Sequence, residues 1–265
     1  MSKLHEAFAE AKAENRAALI GYLPAGFPTV PGAIDAITAM VENGVDIVEI
    51  GLPYSDPLMD GPTIQAAVDQ SLRQGTTIRD VLETVRAVAL TGAPTLVMSY
   101  WNPIERFGVD AFAGELAAAG GTGVITPDLT PEEAGDWIAA SDAAGIDRVF
   151  LVAPSSTLGR IEIVSSMTTG FLYAASLMGV TGVQSVSQAA PALVERSRPY
   201  AKVPIAVGLG VSTAEQAAQV ATYADGVIVG SAFVRLLLDA ATPAQGVAAV
   251  GKLAAELAVG VRRTA

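Results

Sequence analysis

The chain has 265 residues, no cysteine and a formal net charge of −11. The lack of cysteine excludes disulfides and thiolate metal sites, and the negative charge is a poor match for binding nucleic acid or an anionic membrane. No apolar run approaches the roughly 18 residues that a membrane span needs. The N-terminal stretch "MSKLHEAFAEAKAEN" is charged and amphipathic, without the apolar centre of an export signal, so we expect a cytoplasmic protein.

Eight short runs rich in apolar and β-branched residues are predicted to be strands. They cover residues 18–23, 46–52, 94–100, 123–129, 148–154, 170–176, 203–210 and 226–233. Segments of helical length lie between them, including residues 31–44, 77–92, 131–145 and 212–226. Several of these segments open with Ser, Thr or Pro and close with Gly, which is the usual asymmetry of helix caps.

This alternation of strands and helices predicts a (β/α)8 TIM barrel with an extra helix at its N-terminus. No Pro- or Ser-rich linker divides the chain, so we expect residues 1–265 to form a single domain. A doubly wound open sheet is the alternative, because strand counts from one sequence can err by one or two. In a barrel, function belongs at the carboxyl ends of the strands.

Three of the predicted strands run into glycine-rich loops, at residues 179–182, 208–212 and 230–233. The last two follow the seventh and eighth strands, where barrels often hold a phosphate with backbone N–H groups and a helix N-terminus. A tight turn between strand and helix explains any one of these loops. The three together favour a phosphate site. No lysine lies near them and Arg235 is one helical turn beyond Ser231, so we expect backbone N–H groups to hold the anion.

The scarcity of lysine and histidine limits the chemistry. Lysine occurs only at Lys3, Lys12, Lys202 and Lys252, and none lies at the carboxyl end of a predicted strand. A Schiff base inside a barrel is therefore not expected. The single histidine, His5, lies in the predicted N-terminal helix, where a solvated surface position is its expected role. With no cysteine and one histidine, a zinc site is not expected either.

Carboxylates remain as the candidates for catalysis. Glu49, Asp56 and Asp60 could together hold magnesium, although the two aspartates are equally compatible with solvated turns. Proton transfer by carboxylates is the interpretation we favour. Three tyrosines near strand ends could assist it: Tyr22, Tyr100 and Tyr173.

Glu49 is the most informative single residue. Strand alternation places it on one face with Ile47 and Gly51, while Val48 and Ile50 lie on the opposite face. The second face suits packing against helices, so Glu49 is expected to point into the barrel near its carboxyl mouth. A buried carboxylate is costly unless it is paired or functional. No arginine lies near Glu49 in the sequence, which favours function.

The stretch "VEIGLPYSDPLMDGPTIQ", residues 48–65, closely resembles the signature of the tryptophan synthase alpha subunit family. Further matches lie on both sides of this stretch, in family order along the chain: "YLPAGFP", "MSYWNPI", "PDLTPEE", "GVTG", "GLGVS" and "VGSAFV". The resemblance implies a (β/α)8 lyase that splits indole-3-glycerol phosphate into indole and glyceraldehyde 3-phosphate. It covers essentially the whole chain.

The resemblance also implies residue roles. Glu49 would shuttle protons to and from the substrate, Asp60 would stabilise charge at the indole N–H, and Tyr173 would lie beside them. The phosphate would be bound at Gly182, Gly210, Gly230 and Ser231. The substrate pocket and its mobile loop would include Tyr22, Ile64, Tyr100 and Thr181, of which Thr181 reaches toward Asp60. The loop positions facing a partner would be Pro53 and Asp56.

A beta subunit is the partner that the resemblance implies, in an α2β2 complex. Pyridoxal phosphate would belong to that partner, and no cofactor or metal is expected in this chain. The alternatives are a stand-alone lyase that releases free indole and a catalytically silent phosphate-binding activator. A sugar-phosphate isomerase would give no reason for Glu49 and Asp60 at this spacing. The chain departs from the family pattern at Leu177 and Met178, which are often more polar, and at Tyr22, where phenylalanine is common.

Overall fold

The computed structural model describes residues 2–175, 189–208 and 210–263. In these ranges nine parallel strands form one sheet. The strands are β1 (Ala18–Pro24), β2 (Ile47–Gly51), β3 (Thr95–Met98), β4 (Gly123–Ile125), β5 (Asp147–Val149), β6 (Leu151–Val152), β7 (Leu172–Ala175), β8 (Ile205–Gly208) and β9 (Gly226–Val229). Their order across the sheet is β5-β4-β3-β2-β1-β9-β8-β7-β6.

The two edge strands of this order, β5 and β6, are consecutive in the chain and separated by Phe150 alone. They are two parts of one strand, so the sheet closes on itself as a (β/α)8 barrel. The predicted fold class is confirmed. All eight predicted strands are present, and the fifth is divided at Phe150, where the pairing changes from β4 to β7. The Phe150 carbonyl accepts the Tyr173 N–H over 3.1 Å, and its side chain packs in the core outside the barrel.

Twelve helices lie in the described part of the chain and surround the sheet. They are α1 (Lys3–Ala13), α2 (Val30–Glu42), α3 (Pro62–Arg73), α4 (Ile78–Ala89), α5 (Trp101–Phe107), α6 (Val109–Ala118), α7 (Gly135–Ala144), α8 (Leu158–Met167), α9 (Ala189–Ser197), α10 (Ala214–Ala221), α11 (Ser231–Leu238) and α12 (Pro243–Gly260). None is long and apolar enough to cross a membrane.

Local caps explain where several helices begin. Thr77 and Asp80 form a capping box at the start of α4, and Thr29 and Thr213 accept backbone hydrogen bonds at the starts of α2 and α10. The predicted helix over residues 131–145 was placed too early. Its first residues form a turn instead, in which the Glu133 N–H donates to the carbonyl of Thr130 over 3.0 Å, so α7 begins only at Gly135.

Apolar side chains fill the barrel, and helix α1 covers its amino-terminal end. Leu4 and Phe8 of α1 are buried against the interior residues, and the rings of Phe8 and Phe171 lie 5.7 Å apart. The predicted extra N-terminal helix is therefore confirmed. Because that end is closed by packed side chains, the open mouth for a ligand is at the carboxyl ends of the strands.

The strand register fixes which side chains share that mouth. Tyr22 on β1 pairs with Glu49 on β2, one step beyond the pair formed by Gly21 and Val48. Residues paired in a parallel sheet point to the same side. Ile47 belongs to the barrel interior, so Glu49, two positions later, also points inward, as predicted.

Candidate active site

Glu49 lies inside the barrel with 1% of its surface exposed. Its Oε1 atom has no hydrogen-bond partner among the described residues, and no lysine or arginine of those residues lies in ion-pair range. Burial disfavours the ionised form, and no described residue compensates for it. The pKa of Glu49 is therefore raised from 4.5 to about 8, so the carboxyl group holds its proton at neutral pH.

Asp60 lies on the loop between β2 and α3, where Tyr100 contacts it. The Tyr100 hydroxyl accepts the Met59 N–H over 2.9 Å and donates to Oδ1 of Asp60 over 3.3 Å. Burial raises the pKa of Asp60, while the hydrogen bond from Tyr100 partly opposes that shift. One hydroxyl thus holds both the loop backbone and the carboxylate.

Tyr54 supports this arrangement and was not singled out from the sequence. Its ring lies 5.6 Å from that of Tyr100, and its hydroxyl accepts from Nδ2 of Asn102 over 2.8 Å. The pKa of Tyr100 is raised to about 12, by burial first and then by the charge of Asp60. Tyr100 therefore keeps the proton that it donates to Asp60.

Tyr22 and Tyr173 occupy space that two strand glycines leave open. A Cβ atom on Gly51 would lie 2.3 Å from the Tyr22 hydroxyl oxygen, and one on Gly208 would lie 2.3 Å from that of Tyr173. Burial raises the pKa of both tyrosines, and the charge of Glu49 adds to the shift in each. Both therefore remain neutral hydroxyls beside Glu49.

Five of the predicted side chains thus come together at the carboxyl mouth of the barrel. They are Tyr22, Glu49, Asp60, Tyr100 and Tyr173. The group combines a protonated acid, a second carboxylate and neutral hydroxyls. Such a set can transfer a proton to a bound molecule and stabilise positive charge that develops on it.

The predicted phosphate positions are described in part. Gly210 has a φ of +66°, a left-handed conformation that favours glycine, just after β8. Gly230 and Ser231 form the start of α11, which has no side-chain cap. A Cβ atom on Gly230 would lie 3.1 Å from Cδ1 of Tyr22, so the start of α11 lies next to one of the five side chains at the barrel mouth. Gly182 lies outside the described residues.

Three further predicted residues lie at the same end of the barrel: Pro53, Asp56 and Ile64. Ile64 is buried on α3. Pro53 is also buried, so its side chain offers the surface little area for a partner. Asp56 is exposed and accepts a hydrogen bond of 2.6 Å from the Ser55 hydroxyl. Thr181, Leu177 and Met178 lie outside the described residues.

A magnesium site is not supported by this geometry. In the described ranges, no three His, Cys, Asp or Glu side chains lie close enough together to hold a metal ion. Glu49 is buried inside the barrel, whereas Asp56 lies on the exposed surface of the loop. Their spacing in the sequence therefore does not become a common coordination sphere.

Comparisons with known proteins agree with one another. The family model described as tryptophan synthase alpha chain matches residues 8–262. A tryptophan synthase alpha chain from Thermobifida fusca is 60% identical over 269 residues, covering all of both chains. A chain of Mycobacterium tuberculosis tryptophan synthase superposes with a TM-score of 0.93 at 54% identity, covering 99% of each chain. A tryptophan synthase subunit alpha from Legionella pneumophila gives a TM-score of 0.90 at 32% identity, covering 98% of each chain.

The raised pKa of Glu49 makes the stability of the protein depend on pH. Unfolded chains lose this proton near pH 4.5 and the folded chain near pH 8. Between these values the folded state binds more protons, so the free energy of unfolding falls as pH rises. One pKa unit corresponds to about 1.4 kcal/mol. Between about pH 5 and about pH 9, the free energy of unfolding should therefore fall by a few kcal/mol more in the wild type than in Glu49→Gln.

Urea denaturation at the two pH values measures this difference. Exposed Glu162 on α8 provides the matched control, because Glu162→Gln removes a carboxylate without touching the barrel interior. That control should keep the wild-type pH dependence. Equal pH dependence in the wild type and Glu49→Gln would show that Glu49 titrates as an ordinary carboxylate.

Proposed function

The chain belongs to the tryptophan synthase alpha chain family, lyases of tryptophan biosynthesis, and from this premise we propose that it cleaves indole-3-glycerol phosphate to indole and glyceraldehyde 3-phosphate. The comparisons favour the alpha-subunit role over a stand-alone lyase or a silent activator. The observation that carries the proposal is the buried carboxyl group of Glu49 at the open mouth of the barrel, whose pKa of about 8 leaves it protonated at neutral pH.

Proton transfer from Glu49 starts the proposed reaction. Glu49 gives its proton to C3 of the indole ring, which places a positive charge on the ring system. The bond between C3 and the glycerol carbon then breaks, and its electron pair restores the aromatic ring. The hydroxyl on that glycerol carbon becomes the aldehyde oxygen, and its proton passes to the Glu49 carboxylate. Glu49 ends the cycle protonated, as it began.

Asp60 acts as the counter-charge in this scheme. Positive charge develops at the indole N–H when C3 is protonated, and a carboxylate held near that nitrogen stabilises it. The Tyr100 hydroxyl, 3.3 Å from Oδ1 of Asp60, keeps the carboxylate in place. The indole ring itself accepts the electron pair, so the proposed cleavage needs neither a lysine imine nor a metal. We accordingly propose that this chain uses no cofactor of its own.

The phosphate end of the substrate fits the loops after β8 and β9. Gly210 and Gly230 allow close approach of the backbone, and the uncapped start of α11 at Ser231 offers N–H groups and a favourable helix dipole. By its resemblance to the family, Gly182 would complete the set. Tyr22 and Tyr173 would contact the indole side, with Ile64 behind them and Thr181 reaching Asp60 from the mobile loop.

We further propose a beta subunit as partner, in an α2β2 complex, with pyridoxal phosphate in the beta subunit. Indole is small and apolar, so direct transfer between subunits would prevent its loss. The loop that carries Asp60 also carries Leu58, whose side chain is 77% exposed. An exposed leucine next to exposed Asp56 suits a protein interface. A cytoplasmic location, where the pathway would supply the substrate, belongs to the same proposal.

Substitution of the two carboxylates tests the lyase reaction. Glu49→Gln and Asp60→Asn should each lower the rate of indole release by about 10²- to 10⁴-fold, because one removes the transferable proton and the other the counter-charge. Indole release from indole-3-glycerol phosphate is the measurement, and Glu162→Gln is the control that should keep the wild-type rate. Near wild-type turnover in Glu49→Gln would refute the proposed acid.

A bulky residue at Gly210 tests the phosphate site. Gly210→Val should raise KM on the order of 10- to 100-fold, the range expected for lost hydrogen bonds to a charged group. Gly145 at the end of α7 has a similar φ of +68°, and a Cβ atom added there would meet no atom within 4 Å. Gly145→Val therefore imposes the same backbone strain away from the site, and its KM should not change. Equal KM values for the two variants would mean that the phosphate lies elsewhere.

Substitution of Leu58 tests the proposed binding of a beta subunit. Adding the beta subunit should raise the lyase rate of the isolated chain, and Leu58→Gln should weaken that binding by about tenfold, as expected when the burial of a leucine side chain is lost. Leu90, 86% exposed and at the opposite end of the barrel, gives the matched control Leu90→Gln. Titration of the beta subunit against glyceraldehyde 3-phosphate release measures both. No stimulation of the wild type would contradict the proposed partnership.

A further inference from the structure

One side-chain contact joins the helix that follows Asp60 to the helix that begins at the proposed phosphate site. Arg235 on α11 donates a hydrogen bond of 2.6 Å from Nη2 to Oγ1 of Thr63 in the first turn of α3. The two residues are 172 positions apart in the sequence. Thr63 is 7% exposed, so its hydroxyl is shielded from water that would compete for this bond.

The Arg235 side chain extends toward the start of α11. Arg235 lies in the last turn of this helix, and helix side chains lean toward the helix N-terminus, so its guanidinium is directed toward the turn that begins at Ser231, four residues earlier. No carboxylate of the described residues lies in ion-pair range of Arg235. A phosphate bound at the start of α11 would supply the missing negative charge.

Thr63 is tied closely to Asp60. It lies three residues after Asp60, and the Gln65 side chain donates from Nε2 to the Asp60 carbonyl oxygen over 2.8 Å. The Gln65 N–H also donates to the Gly61 carbonyl over 2.9 Å, within the same turn. The backbone of Asp60 is therefore hydrogen-bonded to the same first turn of α3 that carries Thr63.

We propose that Arg235 and Thr63 are positioning residues that couple phosphate binding to the placement of Asp60. The inference rests on the proposed function and adds to it a connection between the phosphate site and Asp60. Phosphate at the start of α11 attracts the guanidinium, which stays hydrogen-bonded to Thr63 and so holds the first turn of α3. Asp60 is then fixed beside the indole nitrogen. Binding energy from the non-reacting end of the substrate thereby supports the reacting end.

A substrate divided into two parts tests this coupling directly. Indole-3-glycerol without its phosphate is the first part, and inorganic phosphate is the second. Phosphate should raise the turnover of indole-3-glycerol by the wild type by about 5- to 100-fold, the usual range of coupling between sites. Thr63→Val keeps the shape of the side chain but removes the hydrogen-bond acceptor, so its activation should fall close to onefold. Thr63→Ser keeps the acceptor and should retain activation.

Activation is the ratio of turnover with phosphate to turnover without it, measured on the same variant. A smaller folded fraction lowers both rates equally and leaves this ratio unchanged. Arg73→Met is the control for Arg235→Met, because it also removes an exposed arginine near α3. The Arg73 side chain is 83% exposed and pairs with Asp69. Arg73→Met should keep wild-type activation. No activation of the wild type, or wild-type activation of Thr63→Val, would overturn the coupling.

Whole-substrate kinetics separate coupling from a direct phosphate contact. Coupling predicts that Thr63→Val lowers kcat for indole-3-glycerol phosphate by about 5- to 100-fold with little change in KM. The double variant with Thr63→Val and Arg235→Met should then have a kcat only slightly below that of Thr63→Val alone, because both changes break the same hydrogen bond. A rise in KM for Arg235→Met with normal kcat in Thr63→Val would assign Arg235 to the phosphate alone. Cleavage by the wild type, measured in the same assay, tests the proposed function separately.

Discussion

The rest of the site depends on one buried carboxyl group, that of Glu49, which has no ion-pair partner in the described structure. Ionising such a group inside a packed barrel is costly, so the group stays protonated to about pH 8. A partner arginine would have stabilised the charge and removed the proton that the proposed chemistry needs. The surrounding strands tolerate the unpaired acid because their apolar packing on both sides fixes the position of β2.

The space around Glu49 is shaped by glycines as much as by side chains. Gly51 and Gly208 lack the Cβ atoms that would collide with the hydroxyls of Tyr22 and Tyr173. The two rings can therefore lie against the strands and keep water from the carboxyl group. The same burial that raises the pKa of Glu49 raises those of Tyr22 and Tyr173, so all three side chains are neutral at pH 7.

Asp60 differs from Glu49 because it lies on a loop and not on a strand. Its place depends on contacts from outside the loop: the Tyr100 hydroxyl on one side and the first turn of α3 on the other. A residue held by contacts from other elements can respond to a shift of those elements, whereas a residue on a barrel strand is fixed by the sheet itself. This difference suits a fixed proton donor and an adjustable counter-charge.

The sequence by itself determined the eight-strand pattern, the inward direction of Glu49 and the glycine-rich strand ends. These follow from local stereochemistry, since a strand alternates its side chains and a glycine permits a left-handed turn wherever the chain folds. The interruption at Phe150, the late start of α7 and the burial of Pro53 were decided by packing with distant parts of the chain. So were the contacts of Tyr100 with Asp60, 40 positions apart, and of Arg235 with Thr63. The pKa of Glu49 also belongs to the tertiary structure, because desolvation arises only once the barrel has closed around the group.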